Sequence, residues 1–398
     1  MHTAAHRRSP PVGTCVDAHR AGGIRLSRPS QDIRFCTSRD GTRIAFASSG
    51  SGPPLLCAGH SFSHLEHEWD CEVWRPLLDL LGQGRTLVRY DMRGTGLSDR
   101  DGLEFTLTRY QEDLEAVVAA AGLTQFNLLG MTGGGALAVT HAARHPQQVS
   151  RLVLLGCYLQ GRSVRSKTTE QRQETELILK LVELGWGQDN PTFRQLFTYQ
   201  FVPDATSAQL QAFNELMRQS ARADQAAALL RAWFDADLSA IAPRLHVPTL
   251  VLHAQGDLRI PYDQGRALAA HIPGARFVSL ESRNHILLDH EPAWTQWAAE
   301  LEAFLAAPAR APASNRGQTV PTGQTGQTGQ VGLAGLTAKE EAVLAVLVQG
   351  LGTTDMAERL GIAEKTLRNH LSVIYSKLGV ANRAQAIVCA HAQGLPRK

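Results

Sequence analysis

The 398-residue sequence lacks the cysteine spacing of a structural metal site or a disulfide framework. Its six cysteines are scattered along the chain, and no two of them form a CxxC pair. Such spacing is typical of reduced thiols, so we expect a cytoplasmic protein without a zinc site or disulfide bridges.

Long apolar runs are also missing, since none approaches the roughly 18 residues that cross a bilayer. The first thirty residues contain His, Arg and Pro but no apolar core of the kind found in secretion signals. These absences argue against a membrane partner, and they predict a disordered N-terminal extension over residues 1–30.

Net charge is nearly balanced, at +3 for 40 Lys and Arg against 37 Asp and Glu. The segment from Leu336 onward contains eight Lys and Arg and five Asp and Glu, which accounts for the whole excess. A local surplus of positive charge, although small, is what a polyanionic partner such as DNA requires.

Three changes in composition divide the chain, and two domains are natural for its length. Residues 31–305 alternate short apolar runs with helical patterns. Residues 306–332 repeat Gly-Gln-Thr and have almost no large apolar side chain, which predicts a flexible linker because burial cannot offset its chain entropy. A four-helix pattern follows in residues 333–398.

Strand-like runs recur through the long middle segment, and several are apolar throughout. Strands of this kind are buried on both faces of a parallel sheet, and their alternation with helices predicts an α/β fold. Residues 161–240 are helical in pattern, which predicts a helical cap over an active site. The predicted strands are Pro54–Cys57, Thr86–Tyr90, Phe126–Leu129, Arg151–Leu155, Thr249–His253 and Arg276–Leu280.

The motif GMTGGG, residues 130–135, lies between a predicted strand and a predicted helix. A glycine-rich turn there presents the nucleophile of the G-x-S-x-G pattern, and Thr132 occupies the nucleophile position. Asp257 and His285 each follow a later strand, so the order nucleophile, acid, histidine matches that of acyl hydrolases. The candidates for an oxyanion hole are the backbone N–H groups of His60 and Gly133.

Together these segments resemble an α/β-hydrolase-fold domain that covers roughly Gln31 to Leu305. The resemblance depends on SHLE at residues 63–66, RYDMRGTGLSDR at 89–100, the glycine-rich turn, and the acid and histidine that follow it. It is close to hydrolase-like domains that bacteria fuse to signalling or DNA-binding modules, and it implies an ester or similar acyl compound as ligand or substrate.

The sequence leaves open whether Thr132 supports catalysis. A β-branched residue at the φ > 0 of such a turn costs more than Ser, and its methyl group restricts the approach of the hydroxyl. One interpretation is a pocket that binds a ligand without turning it over. The other is slow acyl transfer, with Thr132 attacking, His285 acting as base and Asp257 orienting His285.

Three histidines have a spacing that suggests a metal, but we predict none there. His60, His64 and His67 form H-x3-H-x2-H, which differs from the H-E-x-x-H of zinc enzymes. The tryptophans and leucines of Trp69–Leu81 and of the cap are expected to pack a core, so no cofactor is predicted.

The last sixty residues have the pattern of a helix-turn-helix. Thr337 and Glu340 predict a capping box at the first helix, and Gly361 predicts a tight turn. A longer helix then runs from about Ala363 to Leu378 with a basic outer face, which suits the DNA major groove. The alternative is a small helical bundle with a solvated charged face.

The residues expected to contact DNA lie mainly on this longer helix. Arg368 can donate a bidentate pair to guanine, and Asn369 can pair with adenine. The others are expected at phosphates or elsewhere on the same helix, and they are Lys365, Thr366, His370, Ser372, Lys377 and Arg383.

This segment resembles the LuxR-type DNA-binding domain. The resemblance depends on LTxxExxVL, QG, MAERLGI, EKTLRNHL, IYxKLGV and NRxQA, in that order. It implies that residues 365–370 belong to a recognition helix. It also implies a homodimer on two DNA half-sites, paired through a last helix at roughly Asn382 to Gln393.

The two modules together predict a DNA-binding transcriptional regulator with an α/β-hydrolase-like domain that senses a small molecule. Its expected partners are double-stranded DNA and a small ligand or acyl substrate. Two alternatives remain: a working ester or acyl hydrolase with a DNA-binding tail, and an interaction protein whose hydrolase fold binds another protein.

Overall fold

The computed structural model describes residues 30–186, 191–307, 336–348 and 353–378, together with positions 386 and 390. The chain divides into two compact units, with the boundary between Ala311 and Pro312. The predicted extension at residues 1–30 and the predicted linker at 306–332 lie almost wholly outside the described residues, so both stay predictions.

An eight-stranded sheet forms the centre of the first unit, with strand order β1-β2-β4-β3-β5-β6-β7-β8. From β4 onward in that order, neighbouring strands are parallel, as their apolar runs predicted. The strands are β1 (Asp32–Thr37), β2 (Arg43–Gly50), β3 (Pro54–Cys57), β4 (Thr86–Tyr90), β5 (Phe126–Met131), β6 (Val149–Leu155), β7 (Thr249–Ala254) and β8 (Arg276–Leu280).

The first two strands differ from the expectation of a wholly parallel sheet. β1 pairs antiparallel with β2, and β2 pairs antiparallel with β4. The apolar-run criterion missed them because β1 lies at the sheet edge with mostly exposed residues, while β2 is rich in Ala and Ser. The sheet is therefore mixed at one edge and parallel elsewhere.

Six helices outside the cap belong to the layers around this sheet. In α3, Thr106 caps the first turn by accepting a hydrogen bond from the Arg109 N–H, and Tyr110, Leu114 and Val117 are buried. The six helices are α1 (Leu65–Asp70), α2 (Arg75–Gly82), α3 (Leu107–Ala120), α4 (Gly134–Arg144), α10 (Tyr262–His271) and α11 (Pro292–Ala306).

A helical cap is inserted between β6 and β7, as the pattern of residues 161–240 predicted. Two of its helices begin with capping boxes, formed by Thr168 with Gln171 and by Thr206 with Gln209. An isolated antiparallel bridge between Gln160 and Asp237 joins the two chain segments that enter and leave the cap. The cap helices are α5 (Arg162–Arg165), α6 (Thr169–Gly185), α7 (Pro191–Thr198), α8 (Ser207–Ser220) and α9 (Ala223–Phe234).

Burial is most complete on the central strands. The side chains of Leu55, Leu128, Leu152 and Leu250, on four adjacent parallel strands, are fully buried. Such runs fit strands that are covered on both faces. None of the described helices combines the length and apolar character that a bilayer crossing needs.

The second unit contains three described helices, α12 (Ala338–Leu347), α13 (Thr353–Leu360) and α14 (Glu364–Leu378). The predicted capping box of Thr337 and Glu340 is confirmed at the start of α12. Gly361 has φ +64° in the turn between α13 and α14, a conformation that favours glycine. The core of this unit contains Leu344, Leu347, Met356, Leu367 and Ile374.

The predicted fourth helix, roughly Asn382 to Gln393, lies mostly outside the described residues. Its two described positions, Ala386 and Ala390, are helical and fully buried in the same core. Gly350, in the QG motif, and Asn382, in the NRxQA motif, also lie outside the described residues.

Candidate functional site

Thr132 occupies the sharp turn between β5 and α4, where the motif predicted a nucleophile. Its φ is +52°, in the left-handed region that the sequence analysis expected. Close packing explains the glycines that follow: a Cβ at Gly134 would lie 2.4 Å from the Gly59 carbonyl oxygen, and one at Gly135 2.4 Å from Cys157 Sγ. Positions 134 and 135, which follow the turn, therefore have no room for a side chain.

The left-handed backbone at Thr132 has an energetic cost. A residue with a Cβ pays about 1–2 kcal/mol in this region, and a β-branched one more, because its substituents crowd the following carbonyl. Strain of this kind persists where the surrounding structure enforces it, and it clusters at functional sites.

Asp257 and His285 are brought together, as their chain order predicted. Asp257 follows β7 and His285 follows β8, and the Nδ1 of His285 lies 2.7 Å from Asp257 Oδ2. Both side chains are fully buried. The other carboxylate oxygen, Oδ1, accepts hydrogen bonds from the backbone N–H groups of Arg259 and Ile260, at 2.8 and 2.9 Å. The carboxylate is thereby fixed at both oxygens.

A second histidine, which the sequence analysis missed, contacts the same carboxylate. His253 Nε2 lies 3.3 Å from Asp257 Oδ2, and its side chain is also fully buried. Burial alone favours a protonated carboxyl, but His285 and His253 outweigh it and hold the pKa of Asp257 well below its usual range. Asp257 is therefore an anion that can orient His285.

The cap also fixes His285. The backbone N–H groups of His285 and Ile286 both donate to the carbonyl oxygen of Phe201, at 2.8 and 3.1 Å. Phe201 follows α7 in the cap, and its ring meets the imidazole edge-on with centroids 5.6 Å apart. The position of the imidazole thus depends on the position of the cap.

Two polar atoms at the centre of this arrangement lack hydrogen-bond partners among the described residues. They are Thr132 Oγ1 and His285 Nε2, and both are buried. Buried polar atoms without partners are uncommon and are associated with ligand or catalytic roles. In a hydrolase these two atoms are the nucleophile and the base.

The loop after β3 turns its first histidine away from Thr132. The ring of His60 stacks on Trp74 at 4.3 Å, and its Nε2 lies 3.0 Å from Glu68 Oε1. Burial disfavours the charged ring, but the Glu68 carboxylate outweighs it and raises the pKa of His60. Ser61 is the residue of this loop that lines the space above Thr132. The oxyanion role of the His60 and Gly133 backbone stays a prediction.

The space above Thr132 is a pocket with about 480 Å³ of empty volume, part of it open to solvent. Aromatic and aliphatic side chains of the cap form much of its wall. Three arginines also line it, two from the cap and one from the loop after β7, and none was predicted because nothing in the sequence shows which residues face Thr132. The lining includes Tyr158, Arg162, Arg165, Trp233 and Arg259.

The histidines whose spacing suggested a metal have other partners. His60 is paired with Glu68, and His64 caps α1 by accepting a hydrogen bond from the His67 N–H at 3.5 Å. A different group, Glu115, His141 and His145, brings one ligand atom from each residue within 4.8 Å of the others. Its sequence signal, two histidines four residues apart at the end of α4, gave no prediction, and none of the three residues lines the pocket above Thr132.

Most of the predicted DNA-contacting residues lie on α14. Thr366 is exposed and His370 is half-buried. Lys377 is exposed, but its Nζ lies 2.7 Å from Glu340 Oε2, so its charge has a partner within the unit. The side chains of Lys365, Arg368, Asn369 and Ser372, and the whole of Arg383, lie outside what the structure describes.

Comparison with known families agrees with both resemblances. The profile described as alpha/beta hydrolase fold matches residues 60–292, more than half of the chain. The profile described as bacterial regulatory proteins, luxR family, matches residues 334–390. The predicted α/β-hydrolase fold and the predicted LuxR-type helix-turn-helix are therefore confirmed, in the predicted order along the chain.

Among characterised proteins, the chain is similar to enzymes of several names. It is 26% identical over 247 residues to a pyrrolizixenacetamide deacetylase of Xenorhabdus hominickii, covering 60% of this chain and 87% of the relative. It is 29% identical over 251 residues to a 2-hydroxymuconate semialdehyde hydrolase of Pseudomonas sp. strain CF600, covering 59% and 81%. A strigolactone esterase of Arabidopsis thaliana is 24% identical, with coverage of 60% and 87%.

Solved structures show the same fold. An esterase from Exiguobacterium antarcticum superimposes with a TM-score of 0.58 at 23% identity, covering 69% of this chain and 99% of that one. A hydrolase from Pseudomonas aeruginosa gives a TM-score of 0.57 at 24% identity with the same coverage.

Proposed function

Because the chain belongs to the alpha/beta hydrolase fold family and also contains a luxR-family DNA-binding domain, we propose that it is a transcriptional regulator whose hydrolase-fold domain senses a small molecule. DNA is the partner of the helix-turn-helix, and a small acyl compound is the ligand of the pocket. Ligand binding changes the affinity of the protein for its operator, since a ligand that prefers one conformation shifts the population towards it.

The observation that supports a sensing role is the pocket above Thr132. It is lined by a β-branched residue at the nucleophile position, although the domain contains the hydrolase-type contact between His285 Nδ1 and Asp257 Oδ2, at 2.7 Å. The buried Oγ1 of Thr132 makes no hydrogen bond to His285, and its methyl group occupies space that a serine would leave free. Such a site favours holding an acyl compound over turning it over.

DNA binding is tested first, with the full-length protein. A randomised duplex pool is enriched for bound sequences, and Kd for the selected duplex is measured by fluorescence anisotropy at several NaCl concentrations. We expect Kd to rise steeply with salt, and Arg368→Ala to raise it by about tenfold or more. Arg266→Ala, an exposed arginine on α10, is the matched control and should leave Kd unchanged. Absence of salt-sensitive binding contradicts the regulator assignment.

Sensing is tested on the same duplex. Kd is measured with and without saturating phenylacetate, phenyl acetate and 4-nitrophenyl butyrate, and binding of each compound is measured separately by calorimetry. A change in Kd of about threefold or more with a compound that binds supports the proposal. Binding without any change in Kd, for every compound that binds, contradicts it.

Acyl hydrolysis by Thr132 is a second candidate function. The intact contact between Asp257 and His285 favours it, and similar proteins are named deacetylase and esterase. In this case Thr132 attacks the acyl carbon and passes its proton to His285, which then protonates the leaving group. Turnover of 4-nitrophenyl esters by the wild type that disappears in Thr132→Ala supports this function. Equal rates in both proteins, or none in either, exclude it.

The proposal includes a homodimer on two half-sites, paired through the last helix. It assigns the base-contacting role to Arg368 and Asn369 and the phosphate-contacting role to Lys365, Thr366, Lys377 and Arg383. Light scattering of the protein–duplex complex tests the first part, because a single copy on a symmetric operator would contradict it.

A further inference from the structure

The pocket above Thr132 concentrates positive charge. Arg162 and Arg165 lie one turn apart on α5, and Arg259 lies two residues after Asp257 in the loop that follows β7. All three line the pocket, and none of the residues that line it in the described part of the chain is acidic. A site made this way attracts anions.

Arg259 is held in place mainly by aromatic rings. Its guanidinium carbon lies 5.1, 5.3 and 5.7 Å from the ring centroids of Phe201, Phe197 and Phe234. Its Nη1 also donates a hydrogen bond to Gln200 Oε1, at 3.4 Å. Cation–π contacts position a cation without neutralising it. The guanidinium is therefore rigid and still charged.

Carboxylates near the other two arginines do not neutralise the pocket. Arg165 donates to the backbone carbonyl of Gln160 at 3.1 Å. Arg162 Nη2 lies 3.7 Å from Glu174 Oε2, whose side chain is 66% exposed, and such a loose solvated pair is worth little. The Nε of Arg162 is buried and has no hydrogen-bond partner among the described residues. The Nε–H group of Arg162 is thus available to donate a hydrogen bond to a ligand.

The positive charge of Arg162 affects the pKa values of Arg259 and Arg165. Burial, and after it the charge of Arg162, lowers the pKa of Arg259 to about 10. Burial likewise lowers the pKa of Arg165, with Arg162 adding to the effect. Like charges gathered in a partly buried space destabilise one another, and an anion between them would relieve this.

The rest of the wall is apolar and aromatic. Leu230, Trp233 and Phe234 of α9 face the same space as the guanidinium groups. A ligand that fits both parts has an apolar body and one anionic end. Planar guanidinium groups match a carboxylate with two parallel hydrogen bonds, which gives them geometric as well as electrostatic preference for it.

We propose that Arg162, Arg165 and Arg259 bind the carboxylate of a small organic acid, whose apolar body lies against α9 near Thr132. This inference rests on the proposed function, in that it names the chemical class of the ligand for the same pocket. A phosphate has similar recognition chemistry, and the experiment separates the two.

The test compares acids with neutral molecules of the same shape. Binding of phenylacetate and 4-phenylbutyrate to full-length protein is measured by calorimetry against phenylacetamide and 4-phenylbutyramide, with phenyl phosphate as a further arm. We expect each acid to bind about tenfold or more tightly than its amide, because charge-assisted hydrogen bonds are worth more than neutral ones. Phenyl phosphate is expected to bind more weakly than the acids, and tighter binding would assign the site to phosphates instead.

Replacing single arginines tests whether they cause the preference for acids over amides. Arg259→Gln and Arg162→Gln should each lower the acid-to-amide preference by about tenfold while leaving the affinity for the amide unchanged. Arg266→Gln, outside the pocket, is the control and should preserve the preference. Thermal unfolding of each variant shows whether it is folded, and Arg162→Gln remains a test if Arg259→Gln does not fold.

The outcomes distinguish this inference from the proposed function. Equal binding of acids and amides, an unchanged preference in both arginine variants, or no saturable binding of any compound overturns the carboxylate site. Arginine-dependent binding of an acid that leaves operator affinity unchanged overturns the sensing role and keeps the carboxylate site. If neutral compounds bind as well as acids and change operator affinity, the carboxylate site is overturned and the sensing role is kept.

Discussion

Asp257 Oδ2 lies 2.7 Å from the Nδ1 of His285 and 3.3 Å from the Nε2 of His253. One carboxylate oxygen therefore contacts two buried imidazoles, of which only His285 belongs to the predicted triad. The arrangement fixes the ring of His285, whose Nε2 has no hydrogen-bond partner within the described parts of the chain. The predicted acid and histidine are thus in contact, in a domain whose nucleophile position holds a threonine.

Replacing Thr132 by Ser should raise esterase activity. Ser removes the β-branch that crowds the left-handed turn and lets the hydroxyl reach His285. We expect the rate with 4-nitrophenyl acetate to increase by about tenfold or more, which corresponds to roughly 1.4 kcal/mol of the barrier. The measurement is kcat/KM for wild type and Thr132→Ser, with Thr132→Ala as the baseline. No gain in the Ser variant would show that the pocket, and not the nucleophile, limits the chemistry.

Adding a methyl group at Gly135 should destabilise the first unit. The new Cβ would lie 2.4 Å from Cys157 Sγ and 2.8 Å from Cys157 Cβ, so the packing of α4 against the residues after β6 must shift. We expect Gly135→Ala to lower the free energy of unfolding by about 1–3 kcal/mol, the usual cost of overpacking.

Gly82→Ala is the matched control for this experiment. Gly82 is the last residue of α2, and a Cβ there would meet nothing within 4 Å. The urea concentration at the midpoint of unfolding should be the same for Gly82→Ala as for the wild type, or slightly higher, since Ala has the higher helix propensity. Equal effects of the two substitutions would contradict the packing explanation.

The His60–Glu68 pair should make stability depend on pH. The folded-state pKa of His60 is raised, so its contribution is fully present below the unfolded value of about 6.5 and is lost as pH rises through the folded value. The His60→Gln variant lacks this pH-dependent contribution to stability. The difference in Tm between wild type and His60→Gln should therefore be largest near pH 6 and should narrow as pH rises.

The control for that titration is His246→Gln. His246 is exposed and takes no part in the His60–Glu68 contact, so its variant shows how replacing an exposed histidine by Gln affects Tm at the same pH values. A His60→Gln profile parallel to that of the wild type from pH 6 upward would show that the ring does not gain a proton on folding.

Two lysines on α14 should differ in their contribution to DNA binding. Both were predicted at phosphates, but Lys377 is 2.7 Å from Glu340 and shares its charge with that carboxylate. The slope of log Kd against log NaCl should fall by about one for Lys365→Ala and by clearly less for Lys377→Ala. Equal losses of slope would mean that the pair opens when DNA binds.

Sequence reasoning found the parts of the site that are local in the chain. The bounds of β3, β4 and β8 agree with the predicted runs. Thr132, Asp257 and His285 were found because each follows a strand and their order is that of a known family.

What sequence reasoning missed depends on long-range packing. β1 is a mostly exposed edge strand, and its pairing with β2 depends on register and not on apolar content. His253 ends a predicted strand, and nothing in the sequence shows that its side chain contacts Asp257. The three arginines line one pocket because α5 and the loop after Asp257 surround the same space, and the sequence does not show this arrangement.

The contact between the carbonyl of Phe201 and the amides of His285 and Ile286 has one more consequence. We therefore expect a molecule that displaces Phe201 from beneath the cap to move the segment that contains the imidazole as well. In that case the loop after β8 would convert the presence of a ligand into backbone movement.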